Sequence, residues 1–575
     1  MQIISEKIIL EALKQHPDTD ADLNVVKRNL ARVAIIRAAT MPNKTELLKA
    51  YHRLLKNNRI KKNKNLEQLL RRRAVRSLSG VAIVTSLVKP YPCPGLCVYC
   101  PLDERMPKSY LSEEPAAARA LTLKFSPYDQ MSKRLEALAA NGHPTDKIEL
   151  IIKGGTWNSY PLSYQYWFVL ESFRAANETG KRRGEVTSPL LNEQSPLASL
   201  RLALTHAQKK NEKSRHRIIG LTLETRPDCI SAKTAWQMRE QGCTRLEIGI
   251  QHTDDKILAL TKRGHDSKRS RAAVKLLKNF GFKVDFHLMP QLPGATPDKD
   301  LLMLKKIFTD QGYRPDMIKI YPCTVIKGSE LYDWFKAGKY KAYPTEKLLK
   351  ILKKFKASVI PRYCRISRLI RDIPGQYIEE GNKITNLREQ IQRELKAEGK
   401  ACPCLRCREV GHSDLTKIQD LTPKLFIDEY QSSGGREFFI SFEDKTRRVV
   451  FAFCRLRLCH PDLSATSSRP SGRSEGSEPQ NNKRLDSSAS PQNDILYPAF
   501  IRELHTYGQL VKIGKQQAGA SQHTGLGKKL VLTAEKIVKK NKIKKLAVIS
   551  GVGVRDYYRH LGYRLEKTYQ VKNFR

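Results

Sequence analysis

Long apolar runs are missing from this sequence of 575 residues, and their absence excludes one class of protein. No stretch reaches the roughly 18 consecutive apolar residues that suggest a transmembrane helix. The first residues carry acidic side chains early and lack a small-residue cleavage site, so the sequence predicts neither a signal peptide nor a transit peptide. We therefore expect a cytoplasmic protein with no membrane partner.

Acidic residues are also scarce. The chain has 58 Asp and Glu against 104 Lys and Arg, which gives a net charge of +46. Such an excess favours a polyanionic partner, because cationic side chains bind phosphate backbones and release counterions. A merely soluble basic surface or a membrane-surface protein is the alternative. The basic run at residues 56–76 includes Arg71, Arg72 and Arg73 and is our candidate for contact with nucleic acid, with a solvated helix face as the alternative.

Short β-branched runs alternate with amphipathic segments from residue 81 to about residue 360. This alternation predicts parallel strands joined by helices, in a sheet that is open or closed into a barrel. The runs interpreted as strands are residues 81–88, 148–153, 218–224, 245–250, 283–289 and 316–321. They are fewer than the eight of a complete barrel, so we expect an α/β fold built on a partial (β/α)6 barrel.

Two segments interrupt the pattern of strands and helices. Residues 181–217 are interpreted as an insertion whose first half is flexible. Residues 460–492 are rich in Ser, Pro, Asn and Gly and are expected to be disordered. Because the second segment falls between two strand-like runs, we place it in a long loop within one domain.

The 12 cysteines are clustered, which favours metal binding or redox chemistry over a disulfide framework. Cys93, Cys97 and Cys100 form a C-x3-C-x2-C motif directly after the first predicted strand. Thiolates at this spacing hold an iron–sulfur cluster or, with another ligand, zinc. The motif resembles that of the radical S-adenosylmethionine (SAM) superfamily, which implies a 4Fe–4S cluster with SAM bound to its open iron.

Polar and glycine residues at the ends of the next predicted strands agree with this resemblance. Gly154, Gly155 and Thr156 follow the second strand, and the resemblance implies that this turn meets the SAM amino group. Active sites of barrels lie at the C-terminal ends of strands, so Glu224 and Arg226 are candidate catalytic residues and Gln251 a candidate SAM-binding residue. Salt-bridged strand ends are the alternative.

A second cysteine group, Cys402, Cys404 and Cys407, suits tetrahedral zinc with a fourth ligand from elsewhere. Cys364, His412 or Cys323 could supply that ligand, and the sequence leaves the choice open. The alternative is a turn with unmetallated thiols.

The C-terminal part has a strand, glycine-turn and helix order of its own. Predicted strands at 438–444, 447–458 and 499–508 precede a Q-x-x-G-x-G motif, a helix at 528–540, a strand at 545–553 and a tyrosine-containing helix at 554–563. A glycine turn at a helix start offers free N–H groups to a pyrophosphate. This order resembles a GNAT acetyltransferase, which implies acetyl-CoA as ligand. Tyr557 or Tyr558 is then a candidate proton donor to the CoA thiolate, with a core aromatic residue as the alternative.

Dispersed motifs match one family over about residues 80–575, apart from the two insertions. They include SYLSEEPAAARA at 109–120, LTLETRPD at 221–228, HLMPQLPG at 287–294, IRELHTYG at 501–508 and SGVGVRDYYRHLGY at 550–563. The chain thus resembles the catalytic subunit of Elongator in a single-chain prokaryotic form. One departure is that Cys93 and Cys97 have the ordinary superfamily spacing, whereas eukaryotic members space these cysteines further apart.

The resemblance implies a tRNA-modifying enzyme that uses SAM radical chemistry and acetyl-CoA to form 5-carboxymethyluridine at the wobble position. The acetyl-CoA contacts implied by the resemblance or the glycine turn are Lys147, Glu503, Leu504, His505, Thr506, Gln522, Gly525, Leu526, Gly527, Lys528 and Tyr558. We expect a monomer or homodimer without obligate accessory subunits. A protein lysine acetyltransferase with a structural iron–sulfur domain, or a non-catalytic RNA-binding scaffold, remains the alternative.

The expected organisation has four parts. These are a basic helical tRNA-binding region at 1–80, a radical SAM domain at 81–360, a zinc-binding linker at 361–425 and a GNAT domain at 426–575.

Overall fold

The computed structural model describes residues 2–33, 41–71, 80–180, 191–412, 422–459, 496–507 and 525–575. The predictions for the 460–492 segment, for Arg72, Arg73 and Gln522, and for residues 181–190 of the 181–217 insertion lie outside these residues. Within them, no helix combines the length and apolar character needed to cross a membrane.

The N-terminal helices form a small layer with its own apolar core. They are α1 (Gln2–Gln15), α2 (Asp20–Val33), α3 (Lys44–Lys56) and α4 (Lys64–Leu69). Asn43 and Glu46 form a capping box at the start of α3, and Leu47, Tyr51 and Leu54 are buried along one of its faces. This layer is joined to the next domain where Arg71 Nε donates a hydrogen bond to the carbonyl of Gly142 at 3.0 Å.

A parallel sheet with the strand order β1-β2-β3-β4-β5-β6-β8 forms the centre of the molecule. All of the strands predicted from the sequence are confirmed, and β8 extends the sheet beyond them. The strands are β1 (Ala82–Leu87), β2 (Lys147–Lys153), β3 (Arg217–Thr225), β4 (Arg245–Gln251), β5 (Lys283–Leu288), β6 (Met317–Ile320) and β8 (Arg365–Arg368). A short antiparallel pair, β7 (Thr324–Val325) and β9 (Glu380–Gly381), lies outside this sheet.

Helices connect these strands and cover the sheet. Residues 197–211 of the predicted insertion form a helix that contacts the helix Leu162–Glu178, since Asn177 Nδ2 donates a hydrogen bond to the carbonyl of Ala207 at 2.9 Å. The helices are α5 (Pro115–Thr122), α6 (Pro127–Ala140), α7 (Leu162–Glu178), α8 (Leu197–Asn211), α9 (Ala232–Glu240), α10 (Asp255–Leu260), α11 (Ser267–Asn279), α12 (Pro297–Thr309), α13 (Glu330–Lys336) and α14 (Thr345–Lys354), which continues as a π-helix through Val359. Two further helices, α15 (Leu387–Ala397) and α16 (Leu405–Arg408), lead to the C-terminal domain.

The C-terminal domain is a second sheet with the order β10-β11-β12-β13-β14-β16-β15. Its strands are β10 (Lys424–Ser432), β11 (Gly435–Glu443), β12 (Val450–Cys459), β13 (Ala499–Thr506), β14 (Lys545–Val548), β15 (Arg564–Glu566) and β16 (Tyr569–Asn573), with helices α17 (Leu526–Lys540) and α18 (Arg555–Arg559). β14 pairs in parallel with β13 at Phe500 and Ile501 alone. The rest of β13 pairs with β12 and diverges from β14, which opens the sheet at its middle.

The two sheets meet at the N-terminal ends of the barrel strands. Lys283, the first residue of β5, lies 3.1 Å from Glu503 on β13. Asp316, just before β6, accepts a hydrogen bond from Arg502 at 2.8 Å, and Arg502 also binds Glu437 at 2.9 Å. The side chains of Asp316, Arg502 and Glu437 are fully buried. The seam between the domains is therefore ionic as well as apolar, and it leaves little room for relative movement.

A glycine turn in this seam gives a direct test of how tightly the domains are docked. A Cβ on Gly551 would lie 1.9 Å from the carbonyl oxygen of Ile219, a rigid backbone atom of β3. We expect Gly551→Ala to lower the free energy of unfolding by about 1–3 kcal/mol, because overpacking forces the backbone to shift. Chemical denaturation measures the change. Gly375→Ala is the matched control, since no atom lies within 4 Å of its added Cβ, and equal stability of the two variants would contradict the tight seam.

Candidate active site

The loop after β1 carries the first cysteine group at the C-terminal end of the barrel. Cys97 is buried, and its sulfur lies 3.3 Å from Nη1 of Arg263 and 3.7 Å from Nη1 of Arg226. A hydrogen bond from Cys100, supported by the two guanidinium groups, lowers the pKa of Cys97 to about 3. A thiolate is the form that binds a metal, so the protein environment prepares this cysteine as a ligand.

The spacing of the sulfur atoms separates the two cysteine groups chemically. Zn–S bonds of about 2.3 Å place tetrahedral zinc ligands roughly 3.8 Å apart. Cys402, Cys404 and Cys407 lie within 4.8 Å of one another, and Cys93, Cys97 and Cys100 form no such group among the described residues. Cys97 and Cys100 are in hydrogen-bond contact, so the first triad fails as a compact site for one ion only because its three sulfur atoms do not all approach one another. Its three thiol groups on one loop are the donor set that holds an iron–sulfur cluster.

A glycine-lined recess adjoins this triad. Gly154 has a φ of +148°, and a Cβ there would lie 2.0 Å from Val88 Cγ2. Gly155 has a φ of +85°, and the Thr156 hydroxyl lies 3.5 Å from the Cys93 sulfur. Val88 fills the space beside Gly154, whereas Gly155 lines the cavity and lets a ligand approach its backbone. Gln251 has a φ of +67°, and its Oε1 is buried without a hydrogen-bond partner among the described residues. These features fit a polar ligand such as SAM beside the cysteines.

The two candidate catalytic residues have different surroundings. Glu224 accepts a hydrogen bond from the Tyr110 hydroxyl at 2.6 Å and lies 3.4 Å from His287 Nδ1. Arg226 binds Asp228 at 2.9 Å and the carbonyl of Arg263 at 2.7 Å. Since Arg226 faces the Cys97 sulfur, it is placed to position the cysteine loop, whereas Glu224 faces the barrel interior.

Charged side chains line the interior of the barrel, and those on one strand are two or four residues apart. Glu149 and Lys153 on β2, Arg245 and Glu247 on β4, Lys283, Asp285 and His287 on β5, and Lys319 on β6 all line one cavity. Our sequence reasoning missed most of them as functional residues. The signal was their period of two within otherwise apolar strands, which places them on one face of the sheet.

Glu224, Glu247 and His287 lie close enough to ligate an ion, but the charges around them argue against one. Their ligand atoms lie within 4.8 Å of one another. However, the Lys319 ammonium pairs with Glu247, and the Lys153 ammonium lies 3.5 Å from the same carboxylate. Two ammonium groups therefore already neutralise the Glu247 carboxylate, which a metal ion would need as a ligand.

The opened edge of β13 and the start of α17 form the second half of the site. Glu503, Leu504, His505 and Thr506 lie on the diverging part of β13 and are half-buried. Leu526, Gly527 and Lys528 begin α17, directly after Gly525 with its φ of +71°. A Cβ on Gly527 would lie 3.5 Å from the Thr506 hydroxyl, so the turn and the strand face each other.

The two tyrosines of α18 are not equivalent. Tyr558 is 5% exposed and lines the cavity, whereas Tyr557 is 39% exposed and points its hydroxyl at Gly527. Burial raises the pKa of Tyr557 to about 12 and that of Tyr558 well above its usual value, so both stay protonated. Lys147 is the first residue of β2 and lies at the N-terminal end of the barrel. Burial lowers the pKa of Lys147.

A single cavity of about 760 Å³ joins the two halves through the barrel. At the C-terminal ends of the strands it is lined by Cys93, Cys97, Cys100 and Gln251, and towards the second sheet by Glu503, Leu504, His505 and Tyr558. Chemistry that begins at the cysteines can therefore reach a ligand held on β13 without leaving the protein.

The second cysteine group lies between the domains at α16. Cys402 and Cys404 are buried, and the Cys407 sulfur lies 3.5 Å from Gln392 Nε2 and 3.8 Å from Lys356 Nζ. No other described His, Cys, Asp or Glu joins the group within 4.8 Å. Cys323 is ruled out as the fourth ligand because it packs with Tyr340 and Leu292 in a separate cluster beside Cys97.

Comparison with known proteins matches this architecture. Residues 91–306 match the radical SAM superfamily, and residues 315–397 match the radical SAM C-terminal domain. The chain is 39% identical to the tRNA uridine(34) acetyltransferase of Methanocaldococcus infernus over 520 residues, which cover 88% of each protein. It is 34% identical to Elongator complex protein 3 of Schizosaccharomyces pombe, over 88% of this chain and 87% of the relative.

The chain belongs to the Elongator complex protein 3 family. A solved structure of this family, the M. infernus Elp3 with an N-terminal deletion, is 35% identical and superimposes with a TM-score of 0.67 over 86% of this chain and all of that structure. The resemblance to this family drawn from the sequence motifs is therefore confirmed, and so is the expected fold class.

Proposed function

We propose that this protein modifies the wobble uridine of tRNA, transferring an acetyl-derived group from acetyl-CoA to C5 and producing 5-carboxymethyluridine. The observation that carries the proposal is the single cavity lined by both the cysteine triad and the opened β13 strand. The relatives from Methanocaldococcus and Dehalococcoides named tRNA uridine(34) acetyltransferase support the same substrate.

Cys93, Cys97 and Cys100 would hold a 4Fe–4S cluster, with SAM in the recess at Gly154, Gly155 and Thr156. Such a cluster supplies one-electron cleavage of SAM and thus a radical that removes hydrogen from the acetyl methyl group. The protein contributes a stabilised thiolate at Cys97, through Arg263 and Arg226. Gln251 Oε1 provides an acceptor for a SAM N–H.

The C-terminal domain would bind acetyl-CoA in the manner of a GNAT enzyme. The diverging strand offers backbone groups of residues 503–506 to the pantetheine, and the N-terminus of α17 offers N–H groups to the pyrophosphate. Tyr558 is the better placed proton donor for the CoA thiolate, because it borders the cavity and Tyr557 does not. Tyr557 instead faces the pyrophosphate turn, where it supports ligand binding.

Zinc at Cys402, Cys404 and Cys407 would be structural and would join α16 to the seam. The compact spacing of the sulfur atoms supports this assignment. Water, Cys364 or His412 would supply the fourth ligand, the two side chains after a rearrangement.

The N-terminal layer is our candidate for a tRNA-binding surface. Lys56 and Lys61 are exposed, and neither forms an ion pair within the described part of the chain. We expect the Lys56→Ala, Lys61→Ala double variant to weaken tRNA binding and to lower the slope of log K against log salt by about 1.5, since each phosphate contact contributes roughly 0.7–0.9. Filter binding between 50 and about 200 mM salt measures it. Lys209→Ala, Lys210→Ala on the outer helix α8 is the matched control, and an unchanged slope in the first variant removes this layer from the interface.

The proposed reaction is tested with doubly ¹³C-labelled acetyl-CoA. Anaerobically reconstituted protein is incubated with tRNA, SAM, a reductant and the labelled thioester, and the digested tRNA is analysed by mass spectrometry. We expect 5-carboxymethyluridine that carries both labelled carbons. Labelled acetyl-lysine on proteins, with unmodified tRNA, would favour the protein acetyltransferase instead.

A further inference from the structure

The Lys319 side chain occupies the middle of the barrel. It projects from β6 into the cavity between the cysteines and β13, and only 7% of it is exposed. Its ammonium group forms an ion pair with Glu247 on β4. No reaction step described above uses this residue.

Burial and charged groups on strands β2, β4 and β5 set the protonation of Lys319. Burial lowers the pKa of Lys319 to about 8, and Lys153 on β2 acts in the same direction, while Glu247 on β4 and Asp285 on β5 oppose them. The pKa of Lys153 shows the opposite outcome, because Glu247, Tyr110 and Glu224 outweigh its burial and hold it well above its usual value. Lys319 is thus the lysine of this pair that can shed its proton near neutral pH.

A chain of polar contacts leads from Lys319 to the C-terminal rim of the barrel. Glu247 Oε2, the partner of Lys319, lies 3.2 Å from His287 Nε2. His287 Nδ1 lies 3.4 Å from Glu224 Oε1, and Glu224 Oε2 accepts a hydrogen bond from Tyr110 at 2.6 Å. A proton received by Lys319 therefore has a path of carboxylates and one imidazole towards the outside.

We propose that Lys319 is the base that accepts the proton leaving C5 of the uridine, and that Glu247, His287 and Glu224 carry this proton away. The inference rests on the proposed function. When the carbon radical adds to C5, a C–C bond forms and the unpaired electron moves to C6. Restoring the C5–C6 double bond then requires that C5 lose a proton, here to the neutral amine of Lys319, and that one electron pass to an oxidant of the iron–sulfur class.

Lys319→Arg separates a basic role from a merely electrostatic one. Arginine keeps the positive charge beside Glu247 but cannot act as a base at neutral pH. We expect formation of 5-carboxymethyluridine to fall at least 100-fold, the lower end of the usual contribution of acid–base catalysis. Release of 5′-deoxyadenosine should stay near the wild-type level. A labelled 5,6-dihydro product, with two more hydrogens, should accumulate, because C5 keeps its hydrogen and the C6 radical takes one electron from the assay reductant and one proton from water.

The outcomes of this experiment separate the two proposals. Wild-type formation of 5-carboxymethyluridine by the Lys319→Arg variant overturns the assignment of the base. Failure of the unaltered enzyme to release 5′-deoxyadenosine or to label tRNA overturns the proposed function itself. If Lys319→Arg does not fold, the unaltered enzyme decides: the ratio of carboxymethyluridine to 5′-deoxyadenosine should rise with pH through about 8, as the amine loses its proton, and a flat ratio overturns the inference.

The protonation of Lys319 and Lys153 can also be compared without enzyme turnover. Reductive methylation of the cluster-free protein with formaldehyde, read by peptide mass spectrometry, reports when each amine becomes neutral. Lys319 should react with a midpoint near pH 8, and Lys153 should react only at much higher pH. Equal midpoints for the two lysines would overturn the assignment.

Discussion

We expect the Cys97→Ala variant to form no detectable 5-carboxymethyluridine and to lose its iron. Cys97 is the most buried of the three cysteines and the one that both guanidinium groups face. Without its thiolate, two sulfur ligands remain, and a cluster that needs three protein ligands loses its anchor. Iron analysis, the absorbance of the reconstituted protein and mass spectrometry of digested tRNA measure the result.

Cys229→Ala is the matched control for this variant. Cys229 is half-buried and belongs to the turn that follows Arg226, but burial raises its pKa to about 11, so its thiol stays protonated and is a poor ligand. We expect this variant to keep iron and product. Equal losses in both variants would mean that the loop merely tolerates no smaller side chain, and product from Cys97→Ala would remove the cluster from the reaction.

The largest effect on stability is expected from Arg502→Met. This change leaves the carboxylates of Asp316 and Glu437 buried without their closest shared partner. Removing one member of a buried ion pair typically costs 3–5 kcal/mol, because the remaining charge is uncompensated. We expect a loss of about 3–5 kcal/mol in the free energy of unfolding, measured by chemical denaturation, with both domains unfolding earlier.

Lys133→Met provides the comparison for Arg502→Met. Lys133 pairs with Glu136 on the surface of α6, where both side chains are more than half exposed. Exposed pairs contribute little to stability, so the unfolding curve should stay in place. A similarly small shift for Arg502→Met would show that the seam tolerates an uncompensated charge and would weaken the view of the two domains as one unit.

The strands of the barrel were predictable because each is a short run rich in β-branched residues that recurs between amphipathic segments, as the runs at 148–153 and 245–250 illustrate. β8 was missed because its four residues, Arg365–Arg368, alternate polar and apolar side chains too briefly to stand out. β10 was missed because it is a mostly exposed strand at the edge of its sheet. In both strands, pairing with a neighbour rather than local sequence decides the structure.

The candidate site was predictable only in part, for a similar reason. Motif spacing predicts Cys93, Cys97 and Cys100 as ligands, because ligands of one metal group often lie close together in the chain. Lys319, His287 and Glu247 come from different strands and meet only in the folded barrel. The ion pair of Arg502 with Asp316 spans 186 residues, so no local pattern could reveal it.

The rigid seam also determines how the enzyme exchanges its small molecules. The ion pair of Arg502 with Asp316 and the close packing of Gly551 on β3 hold the two domains together. We therefore expect the reactants, and not the domains, to move. The proposed SAM site beside the cysteines and the proposed CoA site on β13 lie at opposite ends of the cavity. If both proposals hold, each molecule can leave while the other stays bound, so we expect free CoA to inhibit without competing with SAM.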